Sequence, residues 1–241
     1  MSKINYLLSA MFFLLCVVAM PAHAYPYQPC SNDLWAGYSV NHHQNNVSFA
    51  NGTWVVQTVQ STVHNQYSTT WVGISGDNGV ISQCGTESDT GDGSGLYFAW
   101  YEFYPADPVY LNSNIYDVHP GDSFKVEIEH QTKYHLIRQT MFDITQGWSY
   151  TAYNVDTGFR FDEAEWILED PCELPFAKLT TTTFKNCSTT VNGANNNILY
   201  WATHGIEVDQ NTCVNELGHT LAVPGNCTDG KTFNVVWKRA S

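Results

Sequence analysis

Phe124-Lys125-Val126-Glu127-Ile128-Glu129 alternates apolar and charged side chains without a break, and that period of two decides the fold class. Successive side chains on a strand point to opposite faces, so Phe124, Val126 and Ile128 should face a core and Lys125, Glu127 and Glu129 water. Gly121-Asp122 reads as the turn before it. Outward from there, the runs Tyr134 to Ile144 and Trp148 to Val155 are joined by Thr145-Gln146-Gly147, a hairpin-like connection. Upstream, Trp71-Val72-Gly73-Ile74-Ser75-Gly76 is a strand closing on a glycine turn. The next strand, Val80 to Gly85, puts Ile81, Gln83, Gly85 and Glu87 on one face. Ser88 to Gly95 offers nothing apolar to bury and reads as a loop. The segment Leu96 to Pro105 is the most aromatic of the chain, with Trp100, Glu102 and Tyr104 on one face. Downstream, Ala164-Glu165-Trp166-Ile167-Leu168-Glu169-Asp170 sends Glu165, Ile167 and Glu169 one way and Trp166 and Leu168 the other. Leu179 to Lys185 is β-branched, and Phe233, Val235 and Trp237 alternate near the end. No pattern supports an amphipathic helix of three turns. Many strands at short spacing with Gly and Asn punctuation argue an all-β sandwich, with Trp35 and Trp54 in its core.

Composition bounds what such a sandwich does. Lys3, an apolar run from Leu7 to Met20 and Ala22-His23-Ala24 read as an export signal over residues 1–24, followed by one domain over 25–241. That run is shorter than a membrane helix needs, and no later stretch approaches the length. A secreted protein without a membrane partner is the expectation. The formal charge of -13 argues against nucleic acid, whose phosphates require a basic surface. Beyond Cys16 of the signal, Cys30, Cys84, Cys172, Cys187, Cys213 and Cys227 form an even set that suits disulfides in an exported chain. Asn46, Asn51, Asn186 and Asn226 head glycosylation sequons, which matter only in a eukaryotic secretory path.

Several chemistries compete. Asp89-Thr90-Gly91 and Asp156-Thr157-Gly158 have the form of a paired aspartic site, in which two carboxyls share a proton. Glu87-Ser88 before the first copy is not the buried apolar strand such a site needs, so both copies read as turns. The Asp89 to Gly95 loop could offer oxygens to calcium and His42-His43 nitrogens to a metal, but ordinary turn and loop chemistry explains both. No Gly-x-Ser-x-Gly elbow or His-Glu-x-x-His helix occurs. Glu102 and Glu165, both among aromatics, could be a glycosidase pair if about 5 to 9 Å apart.

Taken in order, Trp71-Val72-Gly73-Ile74, Gln83-x-Gly85, Ala99-Trp100-Tyr101-Glu102-Phe103-Tyr104-Pro105, Gly121-Asp122 and Ala164 to Asp170 resemble the motifs of the glutamic peptidases, the eqolisin or G1 family. Trp35-Ala36-Gly37-Tyr38 and Leu174-Pro175-Phe176-Ala177 extend the resemblance over nearly the whole chain after the signal. It implies a sandwich of two bent antiparallel sheets, like legume lectins, with a catalytic glutamine and glutamate on the concave face. Those residues match Gln83 and Glu165, with Glu169 the second choice of base. Trp71, Trp100, Glu102 and Tyr104 match the residues lining the cleft. The chain departs from the family's pattern at Ser75 and Glu87, where aspartates thought to support the dyad are usual, at Phe103 in place of a tryptophan, and at Gln57 in place of a proline. Cys84 directly follows the glutamine, where a disulfide could pin the strand.

The side chains suit the implied reaction. An ionised Glu165 can take a proton from water as it attacks a peptide carbonyl and return it to the leaving amine, while Gln83 donates to the developing oxyanion without titrating. The expectation is a secreted, monomeric acid endopeptidase acting on polypeptides, with no cofactor and no metal. Its rivals are a non-catalytic lectin-like carbohydrate-binding protein and the glycosidase.

Overall fold

The computed structural model describes residues 34–41, 46–60, 63–76, 79–156, 158, 160–171 and 174–240. The export signal, His42 and His43, Cys30 and Cys172, and Thr157 of the second Asp-Thr-Gly lie outside these residues.

Two antiparallel sheets carry the fold, with strands numbered along the chain. The seven-stranded sheet runs β13 (Glu207–Asn211), β1 (Trp35–Asn41), β10 (Glu163–Glu169), β3 (Thr69–Ser75), β4 (Ile81–Asp89), β5 (Leu96–Tyr104), β6 (Val109–Tyr110). The nine-stranded sheet runs β14 (Cys213–Val214), β15 (Thr220–Pro224), β16 (Phe233–Trp237), β11 (Thr182–Val191), β2 (Val47–Val55), β7 (Ser123–Gln131), β8 (Leu136–Asp143), β9 (Trp148–Val155), with β12 (Ala194–Asn196) paired to β11. The strands β4–β5 and β8–β9 are neighbours in sequence and in space, whereas β10 enters between β1 and β3 from far along the chain.

Alternation does what the sequence predicts. Phe124, Val126 and Ile128 are fully buried and meet Val72, Ile74, Cys84, Ala99, Trp166 and Leu168 from the other sheet in one core. Burial of indole and amide groups demands hydrogen-bond partners, and these tie the layers together. Trp166 Nε1 donates to the Asn51 carbonyl at 2.7 Å, and Trp54 Nε1 to Thr86 Oγ1 at 3.1 Å. Gln139 Nε2, from β8, donates to Ser82 Oγ at 2.9 Å and to the backbone carbonyl of Glu102 at 2.7 Å. The second sheet therefore holds β4 and β5 directly behind Gln83 and Glu102.

Three expectations change, and one short helix is added. β4 continues through Ser88 and Asp89, since pairing with Tyr97 and Leu96 and a bond from Ser68 Oγ to the Ser88 carbonyl replace the missing apolar residues. A short helix, α1 (Ile198–Thr203), is capped by the Asn197 side chain, which accepts from the Tyr200 N–H; at under two turns it leaves no periodic signal. Trp35 is not in the core but half-buried on the opposite face of its sheet, beside Trp71. Cys84 packs in the core as a free thiol, and Cys187 and Cys227 are free thiols too. The two Asp-Thr-Gly aspartates lie on different sheets: Asp89 ends β4, while Asp156 follows β9 and meets His130 at 2.7 Å.

Candidate active site

Register lines up one row of side chains across the seven-stranded sheet. Ser39 pairs with Glu165, Glu165 with Gly73, Gly73 with Gln83, and Gln83 with Glu102. All five lie on the face turned away from the core, because Ala164, Trp166, Val72, Ile74, Cys84 and Ala99 take the other face. At the usual strand spacing the Cα atoms of Glu165 and Gln83, two strands apart, are separated by about 10 Å. The next row on this face is Ile167, Trp71, Gly85 and Trp100, and the one beyond it Trp35, Glu169, Thr69 and Glu87.

Gly73 decides what the central row can hold. A Cβ on it would sit 2.9 Å from Glu165 Oε2 and 2.8 Å from the Trp71 ring, closer than carbon atoms pack. The Glu165 carboxylate therefore leans over β3 toward Gln83, beside the Trp71 indole. Ser75 Oγ donates to Glu165 Oε1 at 2.6 Å, while Oε2 has no partner. Gln83 Nε2 donates to Glu102 Oε2 at 2.5 Å, and Gln83 Oε1 has no partner. Glu165 is 0% exposed and Gln83 7%.

Burial without a compensating cation sets the electrostatics. No Lys, Arg or His among the described residues lies at ion-pair distance from Glu102, Glu165 or Glu169. Desolvation raises a carboxyl's pKa, and neighbouring carboxylates raise it further. Glu165 is pushed up to about 8, by burial first and then by the charge of Glu163; Ser75's hydrogen bond opposes the rise, and Glu169 and Asp162 add to it. Glu102 is pushed up to about 7 by burial, against the Gln83 hydrogen bond and with Glu169 and Asp107 contributing. Glu169 is pushed up to about 6 by burial, against donors from Trp71, Trp35 and Thr69. Trp71 Nε1 donates to Glu169 Oε2 at 2.7 Å.

The remaining predicted residues fall on the same face with different exposure. Trp71 and Trp100 are buried with Ile167 in a small apolar cluster, with Trp35 edge-on to Trp71 at 5.1 Å. They form the floor of the site, while Glu102 and Tyr104 are half-buried at its side. Glu87 stands two rows from Gln83 and does not reach the central pair. It accepts from the Tyr110 hydroxyl at 2.5 Å, and burial raises both its pKa and that of its neighbour Asp89. Gly73 takes a part in the site that the sequence reading did not give it, and Ser75, read there as a departure from the family's pattern, bonds the candidate base directly. The signal was available, since alternation along β3 puts Ser75, Gly73 and Trp71 on one face. Among the described residues no group of three or more His, Cys, Asp or Glu is arranged to hold a metal ion.

Comparison with known proteins supports the sandwich fold. The family model described as Peptidase A4 family matches residues 33–220. Aspergillopepsin-2 from Aspergillus niger is 37% identical over 133 residues, which is 52% of this chain and 46% of that protein. The chain thus matches about half the length of this curated relative. A crystal structure of scytalido-glutamic peptidase with a peptide-based transition-state analogue superposes with a TM-score of 0.70 at 20% identity, covering 87% of this chain and all of that one. Aspergilloglutamic peptidase from Aspergillus niger gives a TM-score of 0.55 at 28% identity, over 72% of this chain and 99% of its own.

Proposed function

The chain belongs to the Peptidase A4 family, and from that premise we propose that it is a secreted endopeptidase that hydrolyses peptide bonds with Gln83 and Glu165. The observation that carries this reading is the central row: two polar side chains flank a glycine, each with one unpartnered oxygen, over a floor of tryptophan. The peptide-based transition-state analogue bound by the related peptidase supports polypeptide as the substrate class here.

A water between Oε2 of Glu165 and the Gln83 amide has a base on one side and a donor on the other. Glu165 takes one water proton as the oxygen attacks the scissile carbonyl carbon, and the carbonyl electrons move to its oxygen. One Gln83 N–H is engaged by Glu102, leaving the second to donate to that oxyanion. As the C–O double bond re-forms, the C–N bond breaks and Glu165 returns its proton to the amine nitrogen. Trp71, Trp100, Glu102 and Tyr104 bound the channel in which the peptide lies.

Work in acid is part of the proposal. The charges of Glu163, Glu169 and Asp162 that help to raise Glu165 vanish as those groups take protons, leaving burial opposed by the Ser75 hydroxyl. The ionised fraction of Glu165 is small at low pH and grows with it, while its raised pKa makes each ionised copy a stronger base. The rate should therefore still be climbing between about pH 2 and 5. The test is digestion of an unfolded protein across that range, read by mass spectrometry of the fragments. Internal cleavage that increases with pH supports the reading; intact substrate throughout overturns it, and glycan binding or sugar release in its place would favour the carbohydrate rivals.

A further inference from the structure

We propose that Ser75 is the positioning residue of the dyad: its hydroxyl holds one oxygen of Glu165 so that the other alone is presented to water. The inference rests on the dyad reading above and deepens it. Ser75 closes β3 on the same face as Gly73 and pairs in register with Glu163 and Ile81. Its Oγ donates to Glu165 Oε1 at 2.6 Å, the short distance typical of a charge-assisted bond. The Trp71 ring and Glu165 Oε2 both come within 3 Å of where a Cβ on Gly73 would stand, so the glycine supplies the space that this oxygen occupies. A carboxylate held on Oε1 in this way leaves Oε2 as its unpartnered oxygen, over Gly73 on the strand between β10 and β4. Without the hydroxyl, both oxygens would be unpartnered and the side chain free to rotate toward Glu163.

A serine does this differently from an acid. A hydroxyl donates at every pH, whereas an aspartate at this place would donate only when protonated and would repel Glu165 once ionised. The groups facing Glu165 make the distinction matter. Glu163 and Glu169 come from its own strand, Asp162 from the residue before it, Glu102 stands beyond Gln83 in the row, and Asp209 of β13 lies on the other side beyond Ser39. Every ionisable group in that set is an acid. Ser75 adds hydrogen-bonding capacity without adding another.

The experiment compares Ser75→Ala, Ser75→Thr and Ser75→Asp with wild type, measuring kcat and KM on one peptide from pH 2 to 7. Glu165's titration is followed in parallel by isotope-edited infrared difference against Glu165→Gln. Ser75→Ala should lower kcat by about 10- to 100-fold, the usual effect of a lost hydrogen bond to a charged group, with KM within about threefold. It should also raise the pH at which Glu165 ionises. Ser75→Thr should recover most of both losses, and Ser75→Asp should lose activity progressively as pH rises. A Ser75→Ala profile that superimposes on wild type, an unmoved Glu165 titration, or a Thr variant no better than Ala overturns the inference. These results are separable from failure of the dyad, which would appear as wild-type cleavage retained by Glu165→Gln.

Discussion

β7 and β10 are both strands that alternate glutamates with large apolar residues, and the fold treats their acids in opposite ways. Glu127 of β7 meets Lys125 at 2.7 Å, and Glu129 meets Arg138 at 2.7 Å, both pairs at the surface. Glu165 of β10 has no cation at ion-pair distance among the described residues and no exposure, and its hydrogen-bond partner is the Ser75 hydroxyl. The alternation is common to both strands; the neighbours are not. β7 sits beside β8, which contributes Arg138, whereas β10 sits between β1 and β3, which offer Ser39, Ser75, Gly73 and Trp71 on the shared face. A surface ion pair contributes roughly 0 to 1 kcal/mol, while an acid buried without a counter-charge keeps its proton well above the usual range. The difference marks β10 as the strand whose central acid is buried without a counter-charge among the described residues.

The sharpest way to break the contrast is at the buried end. Glu165→Gln keeps the shape and removes the proposed base, and should lower kcat/KM by about 10³-fold or more with the melting temperature maintained. Gln83→Ala should cost about 10²- to 10³-fold, the effect of losing one oxyanion donor. If steady-state kinetics puts Gln83→Ala within tenfold of wild type, the amide is only a sheet residue.

Gly73→Ala tests whether space over β3 is what lets the row work. Its methyl would meet Glu165 Oε2 and the Trp71 ring at under 3 Å, so a loss of about 1 to 3 kcal/mol in denaturant unfolding and about 10²-fold in kcat is expected. Unchanged stability and rate would mean that the carboxylate has another resting place.

The raised acids also set a pH dependence of stability. Glu102 is held at about 7 in the fold against roughly 4.3 unfolded, so between those values the native state binds the extra proton. Its contribution is complete below about pH 4 and is lost as pH rises toward 7. The melting temperature should therefore fall by about 5 °C or more from pH 4 to 8, and Glu102→Gln should flatten the slope. A melting temperature that rises over this range would contradict the buried-acid picture. The smallest effect belongs to β7: Lys125→Ala should change unfolding free energy by no more than about 0.5 kcal/mol and leave cleavage untouched.

Much of this is legible in the sequence itself. Period-two alternation placed Phe124, Val126 and Ile128 inward, and put Glu165 and Gln83 on faces that the register then made one. What alternation cannot carry is which strands become neighbours, and for that reason it puts Trp35 in the core whereas β1 turns it toward Trp71. Polar strand ends were equally opaque: Ser88 and Asp89 stay in β4 because backbone pairing and hydroxyl bonds, not apolar burial, hold them. The bond from Ser75 to Glu165 joins residues ninety positions apart; alternation puts Ser75 on the site face, and only the pairing of β3 with β10 brings it to the carboxylate.

The most direct test sets the two strands side by side. Glu165→Gln and Glu127→Gln make the same isosteric change, and kcat/KM of both is measured against wild type on one unfolded protein substrate at pH 4. A loss of about 10³-fold or more in the first and none in the second is the predicted result. Equal activities, or a Glu165→Gln enzyme within tenfold of wild type, would show that the buried acid of β10 is not the base.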